Sequence, residues 1–60
     1  MNPLIVSKTE ASRLLNISVN KMLKLLEAGE IPAYKDDGQW KVPVKSIESY
    51  IERRISNEHK

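Results

Sequence analysis

A chain of 60 residues, 40% apolar and 30% charged, allows one small domain with a modest core rather than a disordered chain. No apolar run approaches the roughly 18 residues that span a bilayer, and the first residues lack a signal-peptide pattern. Cysteine is absent and the single histidine is His59, so no disulfide framework, thiolate metal site or histidine-based catalytic set can be assembled. Ten Lys and Arg against eight Asp and Glu leave a net charge of +2, a mild bias toward polyanions. The expectation is a cytoplasmic, non-enzymatic protein that needs no cofactor, metal or small-molecule ligand.

From the N-terminus, residues 1–6 form an arm ending in Leu4-Ile5-Val6, which reads either as a short strand or as an extended segment packed on the core. Ser7-Lys8-Thr9-Glu10 matches the S-x-x-E capping box, in which the serine hydroxyl bonds forward and the glutamate reaches back to a free N–H. A first helix from about Lys8 to Leu15 follows, with Ala11, Leu14 and Leu15 on one face and Lys8, Ser12 and Arg13 elsewhere. Asn16-Ile17-Ser18 is a tight connection: asparagine tolerates a left-handed backbone, Ile17 plugs the space between helices, and Ser18 caps the next helix.

That second helix runs toward Gly29, placed where the chain must turn left-handed. Met22, Leu25, Leu26 and Gly29 repeat at helical spacing and are expected to face the core, leaving Asn20, Lys21, Lys24 and Glu27 outside. Pro32 prevents continuation of the helix. Ala33-Tyr34-Lys35 and Gln39-Trp40-Lys41-Val42 flank Asp36-Asp37-Gly38, a hairpin signal. Two strands this short must pack on the helices, with Trp40 supplying much of the contact. Pro43 stops the second strand. A third helix is expected from about Lys45 to Ile55, with Ile47, Tyr50, Ile51 and Ile55 as its apolar stripe and residues 56–60 as a frayed polar tail.

Helix, turn, helix, hairpin, helix is the order of a minimal winged helix-turn-helix: α+β, mainly helical, three helices with a β-hairpin wing, in one domain over 1–60. The chain resembles the excisionase family, whose fold is related to the DNA-binding domains of MerR-type regulators. The likeness lies in Lys8-Thr9-Glu10-Ala11-Ser12-Arg13-Leu14-Leu15-Asn16-Ile17-Ser18, in Met22 to Lys35 with its Gly29-Glu30-Ile31-Pro32, and in Trp40-Lys41-Val42-Pro43 followed by Ile47-Glu48-Ser49-Tyr50-Ile51. Together these stretches cover about residues 7 to 53. The wing tip departs from the family's glycine and arginine, because Asp36 and Asp37 would be repelled by phosphates and oppose deep minor-groove insertion.

The resemblance implies double-stranded DNA as partner. The second helix then enters the major groove at its N-terminal end, where Asn20 is suited to adenine, Lys21 or Lys24 to guanine or phosphate, and Val19 to a thymine methyl. Ser18 and the helix N-terminus suit a phosphate, and Leu23 falls between core edge and groove contact. Ser7, Lys8 and Arg13 from the first helix, and Lys35, Gln39 and Lys41 from the wing, are candidates for backbone contacts. With few phosphate contacts, a monomer should bind weakly, so self-association along DNA or help from a partner is expected. The resemblance further implies an excisionase, or recombination directionality factor, of a phage or mobile element, which binds attachment sites in the nucleoid and directs an integrase. A small transcriptional regulator would use the same reading head. In a reading of another class, the domain docks an integrase or repressor through Tyr50, Arg53 and Arg54.

Overall fold

The computed structural model describes residues 3–58, which form, in chain order, β1 (Ile5–Ser7), α1 (Lys8–Leu14), α2 (Val19–Glu27), β2 (Tyr34–Asp36), β3 (Gln39–Pro43) and α3 (Val44–Glu58). Three helices and a three-stranded antiparallel sheet make the α+β, mainly helical architecture of a winged helix-turn-helix.

Caps and stops define the first two helices. Ser7 Oγ accepts from the Glu10 N–H at 3.1 Å, and Ser18 Oγ accepts from the Lys21 N–H at 3.1 Å, so each hydroxyl satisfies a donor that the first helical turn leaves free. Only half of the expected capping box forms at α1. Glu10 Oε1 lies 3.5 Å from Arg13 Nη2, one turn ahead, rather than reaching back to an N–H. Both helices end in the same Schellman turn. At α1 the Ile17 N–H donates to Ser12 O and the Asn16 N–H to Arg13 O. At α2 the Glu30 N–H donates to Leu25 O and the Gly29 N–H to Leu26 O. The residue that must go left-handed is Asn16 (φ 58) in the first case and Gly29 (φ 77) in the second.

Of the leading arm, Ile5 and Val6 join Ser7 in a strand, Leu4 precedes it, and residues 1 and 2 lie outside the described residues. Ile5, Val6 and Ser7 pair with Pro43, Val42 and Lys41, and the sheet order β1-β3-β2 makes β3 the central strand. Pro43 is tolerated as the last residue of that strand, and the Val44 N–H that opens α3 donates to Leu4 O at 2.9 Å. The hairpin turns at the Asp-Gly pair that signalled it, and Asp36, expected in the tip, instead extends the first strand. Asp36 pairs with Gln39, and Asp37 (φ 57) and Gly38 (φ 79) form the two-residue loop. Positive φ at both positions is the I′ geometry, whose twist matches the flanking strands.

The core comprises Val6, Ala11, Met22, Leu26, Ile31, Val42 and Ile47, with Met22, Ile31 and Val42 the largest fully buried side chains. Leu15, Ile17, Leu25, Trp40 and Tyr50 pack around it. Several expected core positions differ. Leu14 and Gly29 are exposed, and Ser12 is buried instead of solvated, because its hydroxyl donates to Thr9 O at 2.6 Å and needs no water. On α3, Ile47 is buried, whereas Ile51 and Ile55 are exposed. The helix starts at Val44 and continues to Glu58, through residues expected to fray. It thereby outruns the body that its first turns pack on. Residues 59 and 60 lie outside the described residues.

Candidate nucleic-acid interface

The outward face of α2 follows from its angular layout. At about 100° per residue, Asn20, Lys21, Lys24 and Glu27 point away from the buried pair Met22 and Leu26, with Lys21 on the same side of the helix as the flanking Leu25 and Leu23 on the opposite flank. Asn20, Lys21 and Lys24 are exposed, Val19 is 38% exposed, and Leu23 is half-buried. Among the described residues no side-chain hydrogen bond or salt bridge engages Asn20, Lys21 or Lys24. Burial of Met22 and Leu26 therefore fixes the orientation of a helix whose outer surface holds donors with no internal partner. Ser18 stands at the end of this face, its hydroxyl already accepting from Lys21 N–H.

The other backbone candidates do not form one set. Ser7, Lys8 and Gln39 meet around a small cleft of about 210 Å³, closed by Thr9, Gly38 and Trp40. Lys41 stands opposite both Ser7 and Tyr34, whereas Lys35 stands opposite Trp40. Side chains alternate along a strand, so Lys41 with Gln39 and Lys35 occupy opposite faces of the wing. Lys35 Nζ lies 5.2 Å from the Trp40 ring centroid, a cation–π geometry. Trp40 is half-buried against the core rather than fully buried, and Val42 is the fully buried residue of β3. Arg13 is committed to Glu10 in an exposed ion pair, a weak interaction that leaves its guanidinium near the surface.

The residues considered for partner docking, Tyr50, Arg53 and Arg54, line one side of a groove between α2 and α3 of about 810 Å³. Tyr50 is half-buried and packs on the core, not freely exposed. Arg53 donates through Nη2 to Glu30 O, and its guanidinium carbon lies 5.9 Å from the Tyr50 ring centroid. Arg53 thus ties α3 to the turn that ends α2. Sequence spacing contained no signal for that contact, which joins residues 23 positions apart.

No helix of the described residues is long and apolar enough to cross a membrane. Among the described residues no group of three or more His, Asp or Glu side chains is placed to hold a metal ion.

Two capped helices joined through a left-handed asparagine, followed by a short antiparallel hairpin and a third helix, define a helix-turn-helix module with a wing. A helix-turn-helix domain family model matches residues 6–55, and the chain belongs to that family. The family is one of DNA-binding domains and includes excisionase-like proteins, so membership supports DNA as the partner and fits a non-enzymatic role. No curated protein and no solved structure matches the chain.

Proposed function

We propose that this domain recognises a specific site on double-stranded DNA by placing the N-terminal half of α2 in the major groove. The observation that carries the reading is the outward stripe of α2: Asn20, Lys21 and Lys24 are exposed without internal partners on a helix locked in place by Met22 and Leu26. Asn20 has the paired donor and acceptor that suit an adenine edge, and Lys21 and Lys24 suit guanine or phosphate. Val19 offers an apolar contact to a thymine methyl, with Leu23 at the margin. Ser18 and the first-turn N–H groups suit a phosphate. Ser7, Lys8 and Gln39 contact the backbone as one cluster, with Lys41, Lys35 and Arg13 as peripheral cations. The acidic wing tip keeps the hairpin shallow.

Within that reading, the domain acts as an excisionase of a phage or mobile element, binding attachment-site DNA cooperatively and directing an integrase. The three stretches resembling that family and the excisionase-like members of the matched domain family support this role. The modest charge of +2 supports cooperation, since few phosphate contacts make a single copy weak. A small transcriptional regulator is the alternative outcome, because it needs the same α2 surface.

Selection from randomised duplexes, followed by footprinting on DNA flanking the gene, tests site recognition. The wild type should enrich one motif and protect a local site, and Asn20→Ala should lose discrimination at one base position by roughly 1–3 kcal/mol. Enrichment of no motif overturns sequence-specific recognition. Protection at a promoter, with no effect on integrase-driven excision, replaces the excisionase role by the regulator.

A further inference from the structure

Beyond the face of α2, the groove between α2 and α3 contains an arrangement that packing does not explain. Lys21 stands on the α2 wall and Arg54 on the α3 wall, and no salt bridge among the described residues engages either. Arg54 lies seven residues after the buried Ile47, two turns along the same face. Where α3 outruns the core, its inward stripe therefore changes from isoleucine to arginine, and the other wall of the same groove carries a lysine. Two like charges lining one groove repel each other and favour an anion between its walls.

The other charges sharpen this reading. Arg53, also in the groove, is already held by Glu30 O and the Tyr50 ring and fixes the spacing of the walls. Glu52 reaches the groove from the far flank of α3, about 160° round the helix from Arg54, and Glu30 sits at the end closed by Arg53. Asn57 also lines the groove, and its amide is a further donor. The α2 wall belongs to the helix assigned to the major groove, and its Lys21 flank turns toward α3. The phosphates bordering the major groove on that side are the polyanion within reach.

We infer that the α2–α3 groove is a phosphate-backbone clamp in which Lys21, Arg54 and Asn57 hold one DNA strand beside the site read by α2. The inference rests on the DNA-binding reading and adds α3 to the interface. It also moves Arg54 from a protein-docking role to a nucleic-acid one.

The test measures Kd against salt for the full chain as wild type, Arg54→Ala, Asn57→Ala, Arg54→Lys, Lys45→Ala and Lys24→Ala, on a selected and a random duplex. Circular dichroism melts confirm that each variant folds. Loss of one phosphate contact lowers the slope of log K against log salt by about 0.9, so the affinity ratio between about 50 and 200 mM salt shrinks roughly threefold. Arg54→Ala should show that change, with selected and random duplexes weakened by the same factor. Arg54→Lys should preserve the slope, Asn57→Ala should weaken binding to both duplexes without changing the slope, and Lys45→Ala, about 180° round α3 from Arg54, should match wild type. A wild-type slope in Arg54→Ala, while Lys24→Ala still weakens binding, overturns the clamp and leaves the α2 reading standing. Arg54→Ala that loses an integrase but not DNA also overturns the clamp and assigns the groove to protein. Absence of wild-type DNA binding at low salt overturns both.

Discussion

Replacing Gly29 by alanine isolates the backbone cost of ending α2. Gly29 sits at φ +77, and a Cβ built there meets nothing within 4 Å, so no clash contributes. An alanine in the left-handed region costs about 1–2 kcal/mol, and its stiffer unfolded chain returns about 0.4–1 kcal/mol. The net loss is therefore roughly 1 kcal/mol. A chain of this length has about 3–9 kcal/mol of total stability, and each kcal/mol moves the midpoint of so small a domain by about 4–8 °C. Gly29→Ala should melt about 4–8 °C below wild type, and Gly29→Asn should lose less, because Asn16 already occupies the equivalent turn of α1 at φ 58. Urea titration provides the free energy directly. Equal stability of wild type and Gly29→Ala would refute the left-handed cap, and a loss above about 3 kcal/mol would show a steric term that this geometry lacks.

Met22→Ala removes a fully buried side chain and should cost about 2–5 kcal/mol, leaving the domain marginal or unfolded by thermal melt; a loss under about 1 kcal/mol would contradict its place in the core. Ser18→Ala removes the acceptor for Lys21 N–H and should cost about 1 kcal/mol, measured by urea titration, with α2 helicity reduced at its start. Deleting Met1 to Ile5 removes the pairing of Ile5 with Pro43 and the acceptor for Val44 N–H, and should lower stability by about 1–3 kcal/mol. An unchanged midpoint would show that β1 adds nothing to the sheet.

Local rules were legible in the sequence wherever one residue carries the physics. Ser7 and Ser18 as caps, and Asn16 and Gly29 as left-handed stops, each follow from side-chain chemistry within one helical turn. The hairpin was legible in its Asp-Gly pair, but Asp36 was grouped with the tip, because nothing local marks where the strand ends and only pairing of Asp36 with Gln39 decides. Three apolar residues before Ser7 fit a strand or a packed arm equally, and the choice depends on β3, more than 30 positions away. Periodicity marked Ile51 and Ile55 as one face of α3 but contained nothing on how far the body beneath extends. That body ends after the first turns, so both stay exposed. Ser12 was misplaced because its polarity is satisfied inside its own helix.

The candidate site divides in the same way. The exposure of Asn20, Lys21 and Lys24 follows from the spacing of Met22 and Leu26 on one short helix. The separation of Lys35 from Lys41, the pairing of Arg13 with Glu10 and the tie from Arg53 to Glu30 each depend on tertiary placement.

The measurement that bears most directly on the central claim is a salt series of binding to random duplex and to DNA flanking the gene, for wild type and Lys21→Ala/Lys24→Ala. Steep salt dependence, tighter binding to the flanking DNA and loss of both in the double variant are the predicted results. Absence of wild-type binding even at low salt, or a folded double variant that binds as tightly as wild type, would contradict the assignment of α2 as the DNA-reading helix.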